Sequence, residues 1–247
     1  MAALEKRRFG KTGREVTVVG LGGEGVLRTY GRHAEARAVI MEALDQGITY
    51  FDSAKVYAGS EDYYGEVWRS NPGLRAPVFQ ASKSASRLHA DAEMDLARTL
   101  QRLGIETLDL WQIHDVRTFP DIRELEGPTG ALSAFIEARE TGVVRHIGVT
   151  GHHDPDVLSH AVENWPVDAV MLPVNPVEEA PGGFLSSTLA AAKDQGVAVI
   201  GMKVLGGGNY LAPDAGVTPE TLVRYALAQE IAVAIVGCST PAEVRAL

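Results

Sequence analysis

Residues 49–61 of this chain read TYFDSAKVYAGSE, and the interpretation of the whole sequence starts there. The apolar and β-prone residues 48–51 predict a short buried strand, which ends on the carboxylate of Asp52. Tyr57 follows in a turn-rich segment that leads into a helix. In a parallel α/β barrel, the residues just past the carboxyl end of each strand converge on one mouth. We therefore expect Asp52 and Tyr57 to face a shared cavity.

The composition bounds the class of protein. The chain has 247 residues, within the range of a single α/β barrel, and 45% of them are hydrophobic, enough for one large core. The formal net charge of -9 argues against a nucleic-acid partner, because phosphate binding needs a basic surface. No apolar run approaches the roughly 20 residues of a membrane helix, and no signal peptide is recognisable. The single cysteine, Cys238, excludes an internal disulfide and fits a reducing compartment, so a cytoplasmic location is expected.

Short apolar segments alternate with helical ones along the chain. Residues 7–13 and 16–21 predict a hairpin, and 16–21 also counts as the first of eight core strands. The other strands are predicted at 48–51, 78–82, 107–113, 147–150, 169–172, 197–202 and 232–236, and helices at 34–45, 61–68, 91–103, 131–140, 154–163, 185–194 and 219–229. This alternation indicates a parallel sheet, and polar residues at the strand ends favour a closed (β/α)8 TIM barrel over a doubly wound sheet.

The chain shows no linker, repeat or low-complexity tract, so residues 1–247 are predicted to form a single barrel domain. A last helix is expected to begin near Pro241. That helix would only have started where the sequence stops at Leu247, which suggests a natural protein with a longer carboxyl terminus.

A glycine-rich segment at residues 20–25 matches the G-x-G-x-x-G spacing of dinucleotide-binding turns. The context of that motif is missing, because residues 27–32 separate the glycines from the next helix and no acidic residue ends a strand about 20 residues further on. We interpret these glycines as a loop at the barrel mouth rather than as a Rossmann turn.

Three strand ends carry groups with complementary chemistry. Asp52, Lys83 and His114 each end or follow a predicted strand, and Tyr57 lies just above the first of them. Taken singly, each has an ordinary reading as a cap, a surface charge or a packing residue. Taken together, a lysine lowers the pKa of a neighbouring tyrosine, a carboxylate keeps that lysine charged, and a histidine orients or protonates a substrate oxygen. The set predicts a proton relay for a carbonyl that accepts hydride.

This pattern resembles the aldo/keto reductase family. Asp52-x4-Tyr57, Lys83 and His114 occur in the order and at the spacing of the family's catalytic tetrad, and residues 8–16, 103–114 and 142–150 are similar to its hairpin, its histidine segment and its fifth strand. The resemblance implies an NAD(P)(H)-dependent oxidoreductase that interconverts an aldehyde, ketone or sugar carbonyl and an alcohol. It further implies that Tyr57 is the general acid, that Lys83 and Asp52 tune it, and that His114 orients the carbonyl.

The same resemblance implies a cofactor site, with departures from the family pattern. Thr150 and Gly151 stand where the family has Ser-Asn, Met171 where it has a Gln for the nicotinamide amide, and Met202 where it has a Tyr that stacks on the ring. The implied cofactor contacts are Gly22, Gly23, Asp52, Thr150, Met171, Met202, Lys203, Val204, Leu205, Gly206, Cys238, Ser239, Thr240 and Glu243.

Residues 237–241 resemble the family's phosphate-binding turn, where backbone N–H groups open a helix and form an anion site. Basic residues that hold the 2′-phosphate in the family are scarce here, since Glu243 stands where some members carry Arg and only Arg245 remains. The expected cofactor is NADP(H), with a weaker preference than the family norm and NAD(H) as the second candidate.

Other features carry less weight. His152 and His153 have no third ligand spaced for them in the sequence, so no metal site is expected. Two further functions stay open: a Schiff-base lyase or aldolase that uses Lys83, and a non-enzymatic cofactor-sensing barrel subunit. The expected partner is a small carbonyl or alcohol substrate, with no nucleic acid or membrane. The sequence leaves the physiological substrate, the reaction direction and the oligomeric state open.

Overall fold

The computed structural model describes residues 3–247. Its strands are β1 (Lys6–Arg8), β2 (Glu15–Thr17), β3 (Val19–Gly25), β4 (Tyr50–Asp52), β5 (Phe79–Ser84), β6 (Leu108–Ile113), β7 (Val144–Thr150), β8 (Ala169–Pro173), β9 (Ala198–Met202) and β10 (Val233–Cys238). Its α-helices are α1 (His33–Asp45), α2 (Ser60–Ser70), α3 (Pro72–Arg75), α4 (His89–Leu103), α5 (Phe119–Glu126), α6 (Ala131–Glu140), α7 (Pro155–Asn164), α8 (Pro176–Gly182), α9 (Thr188–Asp194), α10 (Pro219–Ala228) and α11 (Pro241–Arg245). Within residues 3–247, every helix is too short or too polar to cross a bilayer.

Strands β3 to β10 form a closed parallel barrel in which each strand pairs with the next and β10 closes on β3. Strands β1 and β2 form a separate antiparallel hairpin. The prediction of a (β/α)8 barrel with an amino-terminal hairpin is thus confirmed. Side chains alternate along each strand, so one set packs outward beneath the helices and the other fills the barrel. Tyr50, Phe79, Leu110, Met171 and Ile200 belong to the inner set.

The hairpin closes the amino-terminal end of the barrel. Phe9 is fully buried, with its ring centroid 4.7 Å from that of Phe79 and 5.9 Å from that of Tyr50. The Lys11 N–H donates to the carbonyl of Gly196 (2.9 Å), just before β9. Arg7 Nη1 donates to the carbonyls of Leu227 and Ile231, both at 3.0 Å, just before β10. Phe9 therefore plugs the end of the barrel opposite the mouth.

The first barrel strand lies later in the chain than predicted. Strand β2 ends at Thr17, whose hydroxyl donates to the carbonyl of Val19 (2.7 Å), and β3 begins only there. The loop interpretation of residues 20–25 is wrong, because all of these glycines lie in β3. A Cβ on Gly20 would lie 2.9 Å from the Tyr50 ring, and one on Gly22 would lie 3.0 Å from the backbone of Gly237. The glycines allow close packing inside and around the strand.

Helix α5 is not among the helices predicted from the sequence. Its cap is Thr118, whose hydroxyl accepts from the N–H of Asp121 while the Asp121 carboxylate accepts from the N–H of Thr118. This reciprocal cap satisfies two of the donors that a helix start leaves free. Pro120 belongs to the first turn, where the missing N–H costs nothing, so it starts this helix rather than preventing it.

Helix α8 is likewise a short helix that was not predicted. Asn175 Oδ1 accepts from the N–H groups of Val177 (3.0 Å) and Glu178 (2.8 Å), and Pro176 occupies the first helical position. The helix predicted at 185–194 begins only at Thr188. The segment after β8 therefore folds as two short helices.

If Phe9 plugs the barrel, Phe9→Ala should lower the free energy of unfolding by about 3–5 kcal/mol, because it empties a buried aromatic site. Urea unfolding of the two proteins measures this loss. Met94→Ala, which removes a 49% exposed apolar side chain from α4, is the matched control and should cost less than about 0.5 kcal/mol. A Phe9→Ala cost as small as the control's would contradict the plug.

Candidate active site

Strand periodicity brings three of the four predicted catalytic residues to the barrel mouth. Asp52 lies on the same face of β4 as Tyr50, and Lys83 on the same face of β5 as Phe79, so both point inward. His114 follows β6 with the same parity as Leu110. Lys83 lies inside β5 rather than after it, because that strand continues to Ser84. Adjacent strands thus place Asp52, Lys83 and His114 side by side.

Asp52 and Lys83 form an ion pair whose two side chains are both fully buried. Lys83 Nζ donates to Asp52 Oδ2 (2.6 Å) and to the carbonyl of Ser53 (2.8 Å). Burial alone lowers the pKa of Lys83, but the charges of Asp52 and Tyr57 outweigh it, so the pKa lies above its usual value. Burial raises the pKa of the Asp52 carboxyl, and the Lys83 ammonium opposes that rise. The lysine is therefore held as an ammonium ion.

Tyr57 lies on the loop after β4 and covers this pair. Its ring centroid is 4.7 Å from Lys83 Nζ and 5.6 Å from the centroid of the His114 ring, which meets it edge-on at 80°. The ring rests directly on Gly23, where an added Cβ would lie 2.4 Å from a ring carbon of Tyr57. Gly23 therefore makes room for Tyr57, a role that the sequence did not reveal.

The pKa of Tyr57 departs from the expectation. Burial raises the pKa above the usual value for tyrosine, and the Lys83 ammonium lowers it by less than burial raises it. The sequence-based expectation considered only the lysine, and its net direction is wrong because the loss of water around the phenolate is the larger effect. At neutral pH the phenol keeps its proton.

His114 is held as a neutral imidazole. Burial and the Lys83 charge lower its pKa to about 3. Arg87 fixes the adjoining backbone by donating to the carbonyls of His114 (3.0 Å) and Asp115 (2.8 Å), and the Asp115 N–H donates to Thr150 Oγ1 (2.8 Å). His114 Nδ1 is buried and has no hydrogen-bond partner within the described protein. The imidazole is thus positioned through its backbone.

The cofactor residues implied after β7, β8 and β9 differ in how deeply they are buried. Thr150 is buried and its hydroxyl is used by the Asp115 backbone, whereas Met171 lies in the inner core. Met202 is half-buried at the end of β9, and Lys203 is exposed with a left-handed backbone (φ 53°). The turn continues through Val204, which is buried, and through Leu205 and Gly206, which are half-buried.

The turn after β10 differs from the expected anion site. The Ser239 N–H donates to the carboxylate of Glu243 (2.7 Å), so the chain's own acidic group occupies one of the amides. Thr240 caps α11, and Arg245 is engaged by Glu42 on α1 (2.6 Å). The side chain of Cys238 packs in the outer core, where burial raises the pKa of its thiol to about 12. Cys238 as a whole is only 1% exposed, so its thiol is not available to a ligand.

Several buried polar atoms at the mouth have no partner among the described residues, as expected where a polar ligand binds. They include Asp52 Oδ1 and both amide atoms of Gln112, which faces inward beside Lys83 in the strand register. A nicotinamide cofactor, with its carboxamide and ribose hydroxyl groups, offers complementary donors and acceptors. The residues present fit such a group. Gln112 was not singled out from the sequence because it sits inside an apolar strand.

Arg28 is a second residue that the sequence did not single out. Its guanidinium carbon lies 5.0 Å from the centroid of the Tyr57 ring, and it also pairs with Glu24. In the sequence, residues 27–32 were noted only as the segment between the glycines and the next helix. Arg28 thus places a positive charge, on a side chain that is 48% exposed, over the Tyr57 ring.

Asp115 is the third residue that the sequence did not single out. Its Oδ1 lies 3.2 Å from His152 Nε2 and 3.3 Å from His153 Nε2. The sequence-based expectation of no metal rested on the lack of a third ligand for the two histidines, and that premise does not hold in the structure. Asp115 follows His114 directly, but its distance in sequence from residues 152 and 153 concealed the cluster.

Comparison with known proteins places this chain in one family. The sequence profile of the Aldo/keto reductase family matches residues 18–212. An aldo-keto reductase of Schizosaccharomyces pombe, named for NADP(+), is 27% identical over 81% of this chain and 62% of its own. A 6-dehydroglucose reductase of Novosphingobium aromaticivorans is 29% identical over 78% of this chain and 74% of its own. The holo form of an aldo-keto reductase of Bacillus halodurans superposes with a TM-score of 0.80 at 22% identity, covering 98% of this chain and 89% of its own.

The closed barrel of parallel strands defines the class of fold, and the family match covers most of the chain. This chain belongs to the aldo/keto reductase family. It spans 62% of the S. pombe relative, so part of that relative's length has no counterpart in the match.

Because the folded-state pKa of His114 is lowered to about 3, the unfolded chain takes up a proton there at higher pH than the native one. His114 thus contributes stability above about pH 6.5 that is lost as the pH falls towards about 3. The slope is at most about 1.4 kcal/mol per pH unit, and partial exposure of the ring reduces it. Urea unfolding at about pH 7 and about pH 5 should show a smaller loss of stability in His114→Gln than in the wild type. Parallel losses would contradict the assignment.

Proposed function

We propose that this chain is an oxidoreductase that uses NADP(H), and with lower preference NAD(H), to interconvert a small-molecule carbonyl and an alcohol. The observation that carries this proposal is the convergence of Tyr57 on a buried ammonium ion and a neutral imidazole, at 4.7 Å and 5.6 Å from its ring centroid. Such a site can give a proton to a carbonyl oxygen while that oxygen gains negative charge.

When bound, the nicotinamide cofactor would supply or accept the hydride. The residues proposed to hold it are Asp52, Gln112, Thr150 and Met202 around the mouth and Ser239 and Thr240 at the turn after β10. Of these, Asp52 Oδ1 and the Gln112 amide have polar atoms with no partner among the described residues. Binding there would satisfy groups that otherwise cost free energy by being buried unpaired.

Tyr57 serves as general acid in the reduction and as general base in the oxidation. Its raised pKa keeps the proton on the phenol until a carbonyl oxygen becomes basic enough to take it. Once the proton has moved, the phenolate lies beside the Lys83 ammonium, which stabilises it. Asp52 holds Lys83 in place and charged.

His114 orients the carbonyl. A neutral imidazole can donate one hydrogen bond to the carbonyl oxygen without competing with Tyr57 as an acid, because its pKa near 3 leaves it no second proton to give at neutral pH. Fixation of its backbone by Arg87 limits the movement of the ring. Two donors, Tyr57 and His114, would thus converge on one oxygen.

A Schiff-base function for Lys83 is disfavoured by the same geometry. An imine-forming lysine needs a neutral amine that the substrate carbonyl can reach. Lys83 is fully buried, donates to Asp52 and Ser53, and has a raised pKa.

Turnover of a substrate is the one measurement that distinguishes an enzyme from a cofactor-sensing subunit, because both would bind the cofactor. One relative is named for a sugar-derived carbonyl, 6-dehydroglucose, so sugar-derived carbonyls are the first substrates to screen.

Tyr57→Phe should reduce carbonyl turnover by about 10²–10⁴-fold while cofactor affinity stays within about threefold, because only the proton donor is removed. The measurements are NADPH oxidation across aldehydes, ketones and sugars, and fluorescence titration with NADPH. Tyr64→Phe is the matched control, since the Tyr64 hydroxyl is buried and has no partner within the described residues. A Tyr57→Phe enzyme with more than about a tenth of wild-type turnover, chemistry being rate-limiting, would refute the role of Tyr57. NADPH binding with no turnover in the wild type would instead favour the sensing subunit.

Glu243 should weaken the preference for NADPH, because its carboxylate occupies the Ser239 amide and repels a 2′-phosphate. The dissociation constants of NADH and NADPH should therefore differ by less than about 100-fold, or ~2.7 kcal/mol. Glu243→Arg should tighten NADPH by about tenfold and leave NADH unchanged, whereas Glu243→Gln, which keeps an acceptor for Ser239, should give a smaller gain. A wild-type ratio above about 100 would mean that another basic group binds the phosphate.

A further inference from the structure

The three side chains of Asp115, His152 and His153 form a cluster at the barrel mouth beside His114. One ligand atom from each lies within 4.8 Å of the others. The imidazole rings lie side by side with centroids 4.2 Å apart, and both Nε2 atoms lie close to the same oxygen, Asp115 Oδ1. The proposed reaction uses none of these three side chains.

The distances within the cluster match those between ligands of one metal ion. Ligands about 2.0–2.1 Å from a tetrahedral ion are separated by about 3.3–3.4 Å, the edge of the tetrahedron. Asp115 Oδ1 lies 3.2 Å from Nε2 of His152 and 3.3 Å from Nε2 of His153. The carboxylate oxygen is therefore already near the separation from each imidazole nitrogen that an ion would impose.

The missing hydrogen bond at Asp115 Oδ1 also favours an ion over a direct contact. Asp115 Oδ1 is buried and accepts no hydrogen bond within the described residues, although two imidazole nitrogens lie within 3.3 Å of it. In a metal site the ligand atoms are neighbours without being hydrogen-bonded, because each lone pair points at the ion. A buried carboxylate oxygen that is close to two imidazole nitrogens and bonded to neither is an arrangement that an ion would complete.

The carboxylate is held in position before any ion binds. Asp115 has a left-handed backbone (φ 57°). Two hydrogen bonds fix this conformation: the Asp115 N–H donates to Thr150 Oγ1, and the Asp115 carbonyl accepts from Arg87. Arg117 donates to the other carboxylate oxygen, Oδ2 (2.8 Å from Nε), and leaves Oδ1 free. This support fixes the ligand oxygen in the way that outer partners fix metal ligands.

We propose that Asp115, His152 and His153 bind a divalent first-row transition-metal ion such as Zn²⁺, with water in the remaining position. Two imidazoles and one carboxylate suit Zn²⁺ and its neighbours, whereas Mg²⁺ and Ca²⁺ prefer oxygen ligands. His152 and His153 are partly exposed, which gives an ion access from solvent. The site is distinct from the Lys83–Asp52 pair and does not depend on the proposed reaction.

Lys203 opposes binding. Its exposed Nζ lies 3.2 Å from His152 Nδ1, the nitrogen that carries the proton when Nε2 of a neutral imidazole binds a metal. The ammonium ion must therefore move away when the ion enters. Removing its charge should raise the affinity for the metal.

The test uses chelator-treated, tag-free protein and calorimetric titration with Zn²⁺. We expect one site per chain with a Kd in the micromolar range or below, and visible absorption of tetrahedral Co²⁺ when that ion is used. Removing a residue that merely supports a metal ligand typically weakens binding by about 10–100-fold. His153→Gln and Asp115→Asn remove ligands themselves, so each should weaken Zn²⁺ binding by more than that. Lys203→Met should tighten it.

The matched control is His89→Gln. His89, Glu93 and Glu137 form the other group of potential metal ligands among residues 3–247, but with a single imidazole and two exposed carboxylates. Its loss should leave the Zn²⁺ titration unchanged. Unfolding curves establish that each variant is native. The proposal is overturned if the wild type shows no saturable Zn²⁺ site, if His153→Gln and Asp115→Asn, both folded, bind as the wild type does, or if His89→Gln abolishes the binding.

Discussion

The buried contact between Lys83 and Asp52 is the interaction on which the mouth of this barrel depends. Neither side chain touches solvent, so each would carry a large desolvation cost without the other. Removing one partner of such a pair typically costs about 3–5 kcal/mol, because it leaves an uncompensated charge. The barrel supports the pair by placing Asp52 and Lys83 on the inward faces of adjacent strands, and the Ser53 carbonyl accepts a second hydrogen bond from the ammonium. The positive charge then acts on both neighbours: it adds to the lowering of the His114 pKa, and it offsets part of the rise that burial causes in the pKa of Tyr57.

Desolvation and the lysine charge act in opposite directions on the tyrosine and in the same direction on the histidine. Both effects disfavour a charged imidazole, so His114 is neutral. For Tyr57, burial exceeds the pull of the ammonium and the phenol keeps its proton. The Tyr57 ring therefore has the Lys83 ammonium and the Arg28 guanidinium on its faces and the neutral imidazole of His114 at its edge. That distribution suits an oxygen that becomes negative, and it follows from how deeply each side chain is buried.

The sequence was sufficient for the barrel and for the four residues at its mouth, because strand periodicity and the residue at each strand end are local signals. The misses have tertiary causes. The glycine-rich composition of residues 20–25 suggests a loop, but these residues form a strand. Glycine is needed there because the Tyr50 ring and the backbone of Gly237 leave no room for side chains. Helices α5 and α8 each begin with a cap followed by proline, which resembles loop sequence until the capping hydrogen bonds are visible. The net pKa of Tyr57 depends on burial, and the contact of Asp115 with His152 and His153 depends on neighbouring strand ends meeting; neither is encoded in spacing.

The aromatic plug formed by Phe9 also constrains the order in which the molecule can be assembled. Its hairpin precedes the barrel in the sequence and is synthesised before it, yet Arg7 bonds carbonyl groups 220 and 224 residues further on. At roughly 5–20 residues per second, the ribosome needs on the order of 10 s or more to deliver those partners. Throughout that interval Arg7 lacks these two acceptors and β3 has an open edge, since β3 closes only on β10. Contacts so distant in sequence make the final closure a slow step, and a nascent chain with an unpaired strand edge is prone to the aggregation that chaperones prevent.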